Sequence, residues 1–373
     1  MALVTLALFV IAASFPLGSD AIGYIYGLQR NLTDTSLYLE EIDPQTAKVV
    51  RRGQFDQYDV AGQGLACLND KEGVYFTVAY NVSTRDVVLL GISLRTLQLL
   101  DEVKLPFLES LFVGVGQYCN YDPVDDAIIV EGRDKVKPYD HHLWKYSRKT
   151  GTIESLAKVF NIGMVDLLGG FSVLDFDHGI DWLQLAYNDS GTVGTRFFGY
   201  DTDSGFLLDD IDNPELLAAG RYDPRTQTIY GIGSRMIEKA PGFEHTVVEF
   251  SSVTTSFKLK SVLPFINFMG AISALDIRQR LLYVYMSNIT HHGDHEGGTQ
   301  TNNVELYCRM LRLTGRRVPS RCDRFVGAAA PPPKLPPMDL VSIDVDTGKV
   351  VAHPQLCTEF TQCPLSIEFW NRD

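Results

Sequence analysis

One short pattern occurs five times along this chain at nearly even intervals, and no other feature restricts the fold as much. Its first copy reads Ala61-Gly62-Gln63-Gly64-Leu65-Ala66-Cys67-Leu68-Asn69-Asp70, and its second Gly114-Val115-Gly116-Gln117-Tyr118-Cys119-Asn120-Tyr121-Asp122. The later copies are Gly169-Gly170-Phe171-Ser172-Val173-Leu174-Asp175, Ala219-Gly220-Arg221-Tyr222-Asp223 and Gly270-Ala271-Ile272-Ser273-Ala274-Leu275-Asp276. The terminal acids lie 52, 53, 48 and 53 residues apart. A short turn follows each acid, and then a run of aromatic and β-branched residues, at 74–80, 127–130, 182–187, 228–232 and 281–285. Such side chains suit the pleated surface of a strand.

Most copies continue with two more strands around a polar turn. Residues 37–42 lead through Asp43-Pro44-Gln45-Thr46 to 48–50, and 197–200 through Asp201-Thr202-Asp203-Ser204-Gly205 to 206–208. Residues 341–345 lead through Asp346-Thr347-Gly348 to 349–352. Asp and Thr can bond nearby backbone amides there, and Gly supplies a positive φ. Helical periodicity is nearly absent, and 215–219, the one short exception, suits a strand equally well.

Four antiparallel strands every 50 or so residues define an all-β chain built as a β-propeller. A single blade cannot bury both faces of its sheet, so neighbours must stack and the ring must close. The chain opens at 22–28 with what reads as a second strand lacking an inner partner. It ends with Cys363-Pro364-Leu365-Ser366-Ile367-Glu368-Phe369, which resembles that missing partner, Glu368 standing for the repeated acid. The expectation is six four-stranded blades closed by the C-terminal strand. Seven is the alternative, against which stand only six recognisable inner strands. Between Asp276 and Glu368 the interval is 92 residues, and the excess marks an insertion at 290–337 that includes a Pro-rich tract, Pro331-Pro332-Pro333-Lys334-Leu335-Pro336-Pro337.

Residues 2–17 are almost wholly apolar and no charged residue precedes Asp20, while small residues Ser19 and Ala21 suit a cleavage site before Ile22. Residues 1–21 therefore read as a signal peptide, and 22–373 as a single exported domain with no membrane span left after cleavage. Lys and Arg number 33 against 46 Asp and Glu, a net charge of −13 that argues against nucleic acid as a partner. Four glycosylation acceptors, Asn31, Asn81, Asn188 and Asn288, all fall just after the second strand of their repeat. That shared placement puts sugar on one rim of the disc; unmodified, solvated Asn is the alternative. The six Cys suit an oxidising compartment. Cys308 with Cys322, and Cys357 with Cys363, read as two short-range disulfides. Cys67 and Cys119 take equivalent places on neighbouring inner strands, and either bridge two blades or stay as buried thiols.

Candidate chemistry is sparse. His291, His292, Asp294, His295 and Glu296 form a set able to ligate a metal, but Gly293, Gly297 and Gly298 also fit a solvated loop. A second pair, His141-His142, reads as part of the corresponding loop of the third repeat. Asp122, Asp125, Asp126, Asp175, Asp177, Asp181 and Asp223 offer oxygen ligands for calcium, without the spacing of a calcium loop; stabilisation of turns accounts for them as well. Calcium or zinc is thus the cofactor to test. Arg309, Arg312, Arg316, Arg317, Arg321 and Arg324 make the insertion locally basic. No nucleophile elbow, phosphate loop or dinucleotide fingerprint is present.

The turns 201–205 and 346–348, with the recurring Tyr-Asp-Pro at 121–123 and 222–224, resemble those of secreted propellers of the broad quinoprotein, YVTN and NHL-like group, over essentially all of 22–373. The resemblance is architectural, and the group includes lactonases, dehydrogenases, cyclotransferases and binding scaffolds. It implies no catalytic residue, so whether the chain is an enzyme stays open. The expected role is extracellular binding of a protein, glycan or small molecule. The alternative is a metal-assisted extracellular hydrolase or lactonase with its site in the central channel.

Overall fold

The structure, a computed structural model, describes residues 23–30, 36–60, 65–105, 119–133, 141–159, 170–189, 192–212, 216–236, 243–263, 265–288, 338–357 and 363–372. Its strands form six antiparallel sheets. From inner to outer strand, blade 1 comprises Ser366–Trp370, Tyr24–Arg30, Leu37–Ile42 and Val49–Phe55. Blade 2 comprises Ala66–Asn69, Val74–Asn81, Val87–Ser93 and Leu99–Lys104, with Tyr58–Val60 as an added inner piece. Blade 3 comprises Cys119–Asp122, Ala127–Arg133, His141–Ser147 and Thr152–Val159. Blade 4 comprises Gly170–Asp175, Ile180–Asp189, Thr192–Asp201 and Leu207–Asp212. Blade 5 comprises Leu216–Asp223, Thr228–Met236, Phe243–Ser251 and Ser256–Leu263. Blade 6 comprises Phe265–Asp276, Leu281–Asn288, Met338–Asp344 and Lys349–Ala352, with Gln355–Cys357 beside its third strand.

Each inner strand lies against the next, and that of blade 6 against Ser366–Trp370, so the circle closes. This is a six-bladed β-propeller. The closing strand belongs to blade 1, where Trp370 faces Tyr24 and Ser366 faces Leu28. Residues 216–219, the one briefly helix-like stretch, form strand.

One turn design is repeated around the ring. After each inner strand of blades 2 to 6 the fourth turn residue takes a left-handed φ: Gly73, Asp126, Gly179, Gln227 and Arg280. The turns from third to outer strand do the same at Ala47, Leu97, Gly151, Gly205, Thr255 and Gly348. The residue opening most of these turns caps the turn from its side chain, as Asp122 Oδ1 does for the amides of Val124 and Asp125, and Asp201 Oδ1 for those of Asp203 and Ser204. The register corrects the sequence alignment here. In blade 2 the capping residue is Asn69, whose Oδ1 accepts from the Glu72 amide, and not Asp70. In blade 1 Trp370 holds the equivalent position, so Glu368 sits two residues earlier in the strand than its expected role requires.

Gly205 offers a test of this packing. Its φ is +70°, and a Cβ there would lie 1.9 Å from the carbonyl oxygen of Leu156 in blade 3, whereas a Cβ on Gly151 at φ +69° would meet nothing within 4 Å. Gly151→Ala is therefore expected to cost about 1–2 kcal/mol, the left-handed penalty alone. Gly205→Ala should cost clearly more in the same denaturant titration; equal costs would contradict the close seam between blades 3 and 4.

The core lies between blades. Trp182 of blade 4 stacks on Phe197 with centroids 5.2 Å apart and meets Phe250 of blade 5 edge-on at 4.9 Å. Polar ties follow the seams: Arg148 to Glu72 at 2.9 Å, Lys145 to the Thr202 carbonyl at 3.0 Å, and Tyr222 to Asp177 at 2.8 Å. Arg280 of blade 6 binds Asp223 of blade 5, and Trp370 Nε1 donates to the Asp70 carbonyl at 3.0 Å.

Candidate functional site

The inner strands run along the axis of the ring, and their alternation decides what meets there. Successive side chains point to opposite faces of a sheet. Across the gap between two blades, residues of opposite parity therefore meet. Counting back from the turn-capping residue, the positions two before it are Cys67, Asn120, Val173, Arg221, Ala274 and Glu368, and those three before it are Ala66, Cys119, Ser172, Gly220, Ser273 and Ile367. Most are small, which lets six strands approach one axis.

The exceptions form a polar floor across the channel. Arg221 of blade 5 donates from Nε to the Ser273 carbonyl of blade 6 at 2.8 Å, and from Nη2 to the Ile367 carbonyl at 3.0 Å and Glu368 Oε1 at 2.6 Å in blade 1. A single guanidinium thus spans three blades. Both side chains are nearly sealed, with 14% and 9% exposure. Burial pushes the Glu368 carboxyl up to about 7, with Arg221 pulling the other way. Asn120 Nδ2 donates to Ser172 Oγ at 2.6 Å and Asp181 Oδ1 at 2.9 Å. Asp181 is fully buried, and burial, reinforced by the charge of nearby Glu131, raises its carboxyl to about 7. Its Oδ2 has no hydrogen-bond partner among the described residues. Cys67 and Cys119 meet between blades 2 and 3 with their Sγ atoms 2.6 Å apart.

The residues singled out in the sequence are dispersed. Asp122, Asp175 and Asp223 cap turns, Asp125 and Asp126 pair with Lys145 and Arg148, and Asp177 accepts from Tyr222. His141 and His142 belong to the third strand of blade 3 rather than to a loop, and His142 Nδ1 is 2.7 Å from Ser155 Oγ. Asn81, Asn188 and Asn288 lie at or beside the ends of three second strands, on one face of the disc. Asn81 Oδ1 accepts from the Ser83 amide and hydroxyl. Cys357 and Cys363 form a disulfide. Residues 1–21, expected to be a signal peptide, and Asn31, His291, His292, Asp294, His295, Glu296, Cys308, Cys322 and the arginines at 309–324 lie outside the described residues. Among the described residues no cluster of three His, Cys, Asp or Glu side chains is placed to hold a metal, and no helix is long and apolar enough to cross a membrane.

The floor itself was missed. Its signal was a charge inside an otherwise small or apolar inner strand, Arg221 in Ala-Ala-Gly-Arg-Tyr-Asp and Glu368 in Ser-Ile-Glu-Phe-Trp.

No family model matches the chain, and no curated protein sequence does. Its fold is similar to that of TolB from Acinetobacter baumannii, with TM-score 0.53 and 8% identity over 94% of this chain and 67% of that one. It is also similar to a putative TolB from Agrobacterium tumefaciens, with TM-score 0.51 and 11% identity over 94% of each chain. At identities this low the likeness shows the fold alone.

Proposed function

We infer that this protein is a secreted, glycosylated binding propeller that takes an extracellular protein, glycan or small molecule on one face of the disc. The observation that carries this reading is the asymmetry of the two faces. Where inner strands turn into second strands, the connections have four residues in blades 2 to 6. On the opposite face the strand ends are separated by 10 residues of sequence between Val159 and Gly170, 14 between Lys104 and Cys119 and 49 between Asn288 and Met338. A disc with uniform turns on one side and strand ends separated by long, unequal stretches of sequence on the other suits a ligand-binding surface. The glycan acceptors share that second face.

The runner-up, a metal-assisted hydrolase or lactonase, draws on Asp181 and Glu368, whose carboxyls stand near neutrality as a general acid or base requires. Their partners count against it. Asp181 is sealed between blades, and Glu368 is held by Arg221.

The test uses protein secreted from eukaryotic cells. Intact mass should fall on glycosidase treatment, with Asn converted to Asp at the acceptor sites. Arrays of extracellular glycans and ectodomains should give saturable binding that deletion of 290–337 weakens. Stoichiometric calcium or zinc, together with lactone or ester hydrolysis that stops on chelation, would overturn the binding reading in favour of the enzyme.

A further inference from the structure

We propose that Cys67 and Cys119 form a disulfide that staples blade 2 to blade 3 along the channel wall. Cys67 stands two residues before its turn-capping residue Asn69, and Cys119 three before Asp122. This single-residue offset, hidden when the two copies are aligned on their acids, gives the thiols opposite parity. On adjacent blades, opposite parity points them at each other. Their Sγ atoms are 2.6 Å apart, against about 2.04 Å for a covalent S–S bond. The disulfide of Cys357 with Cys363 fits the oxidising compartment that this staple also requires.

The bond forms by exchange with a protein or small-molecule disulfide. One cysteine thiolate attacks a sulfur of that oxidant, releasing one thiol and leaving a mixed disulfide. The second cysteine, as its thiolate, then displaces the other thiol. The two cysteines lose two protons and two electrons, and the oxidant's S–S bond becomes two S–H groups. In the folded ring both sulfurs are buried, at 3% and 0% exposure, and burial pushes the Cys67 thiol up, away from the reactive thiolate. Exchange therefore belongs to folding, before blades 2 and 3 close on each other. Afterwards the staple resists external reductant until the protein unfolds.

Full-length protein secreted from eukaryotic cells is denatured in a thiol-blocking maleimide without reductant, digested and mapped by mass spectrometry. The expected result is a linked peptide pair holding Cys67 and Cys119, with maleimide on both residues only after reduction in denaturant. Reductant added to the native protein should leave the pair linked. Cys67→Ala and Cys119→Ala should each lower Tm by several degrees, and the double variant by no more than either alone. Maleimide on both cysteines of the unreduced protein overturns the staple, whether Cys357 and Cys363 are found linked or free. If they are linked, the oxidising compartment of the functional reading stands while the staple falls.

Discussion

Arg221→Ala is expected to destabilise the protein by about 3–5 kcal/mol, because it strands a carboxylate in the channel floor. Glu368 is 9% exposed, and Arg221 supplies its charged partner at 2.6 Å while also bonding two carbonyls from two other blades. The loss therefore falls on three blades together. Denaturant unfolding at about pH 7.5 measures it, and the control is the double variant Arg221→Ala with Glu368→Gln. Removing the charge should recover part of the loss, since an amide costs less to bury than an unpaired carboxylate. A single variant within about 1 kcal/mol of the parent, with no rescue in the double, would mean that the floor is hydrated and open.

Asp181→Asn is expected to stabilise the protein at about pH 8 and to change little at about pH 4. The folded-state carboxyl is raised from 3.8 to about 7, so the folded protein holds a proton that the unfolded chain releases. That contribution is fully present below about pH 4, declines as pH rises, and is lost once pH passes the folded value near 7. Glu368, raised from 4.5 to about 7, slopes the same way. Each unit of pKa difference corresponds to about 1.4 kcal/mol, so the parent should weaken by a few kcal/mol across this range. Asp181→Asn should flatten the curve, since a neutral amide keeps an oxygen for Asn120 and removes the charge that Glu131 opposes. Parallel stability curves for parent and variant between about pH 4 and 8 would refute the assignment.

The blade count and ring closure were legible in the sequence because turn chemistry is local. Asp201 to Gly205 writes its cap and left-handed residue within five positions, whereas the turn ending at Gly348 is capped by Asp344, two residues before the Asp346 at which the sequence places its start. Alignment failed by one residue where two chemistries coincide: Asn69 and Asp70 are both competent caps, and only pairing with Val74 selects Asn69. That slip concealed the parity of the channel residues. The floor was illegible for a different reason. Asn120 and Asp181 are 61 residues apart and meet only when blades 3 and 4 stack, and Arg221 and Glu368, 147 apart, meet only when the ring closes; neither depends on a local pattern.

The closing strand also fixes how the disc responds to tension. Tyr24 faces Trp370, so the two chain ends leave blade 1 from the same edge of one antiparallel pair. A pull on both ends loads the hydrogen bonds between Ser366–Trp370 and Tyr24–Arg30 one after another, as in a zipper, rather than all at once in shear. Opening starts at the Trp370 end and spreads toward Leu28, loading on the way the tie of Trp370 to the Asp70 carbonyl of blade 2 and those of Arg221 to Ile367 and Glu368. Mechanically, the ring is a belt with its buckle at blade 1.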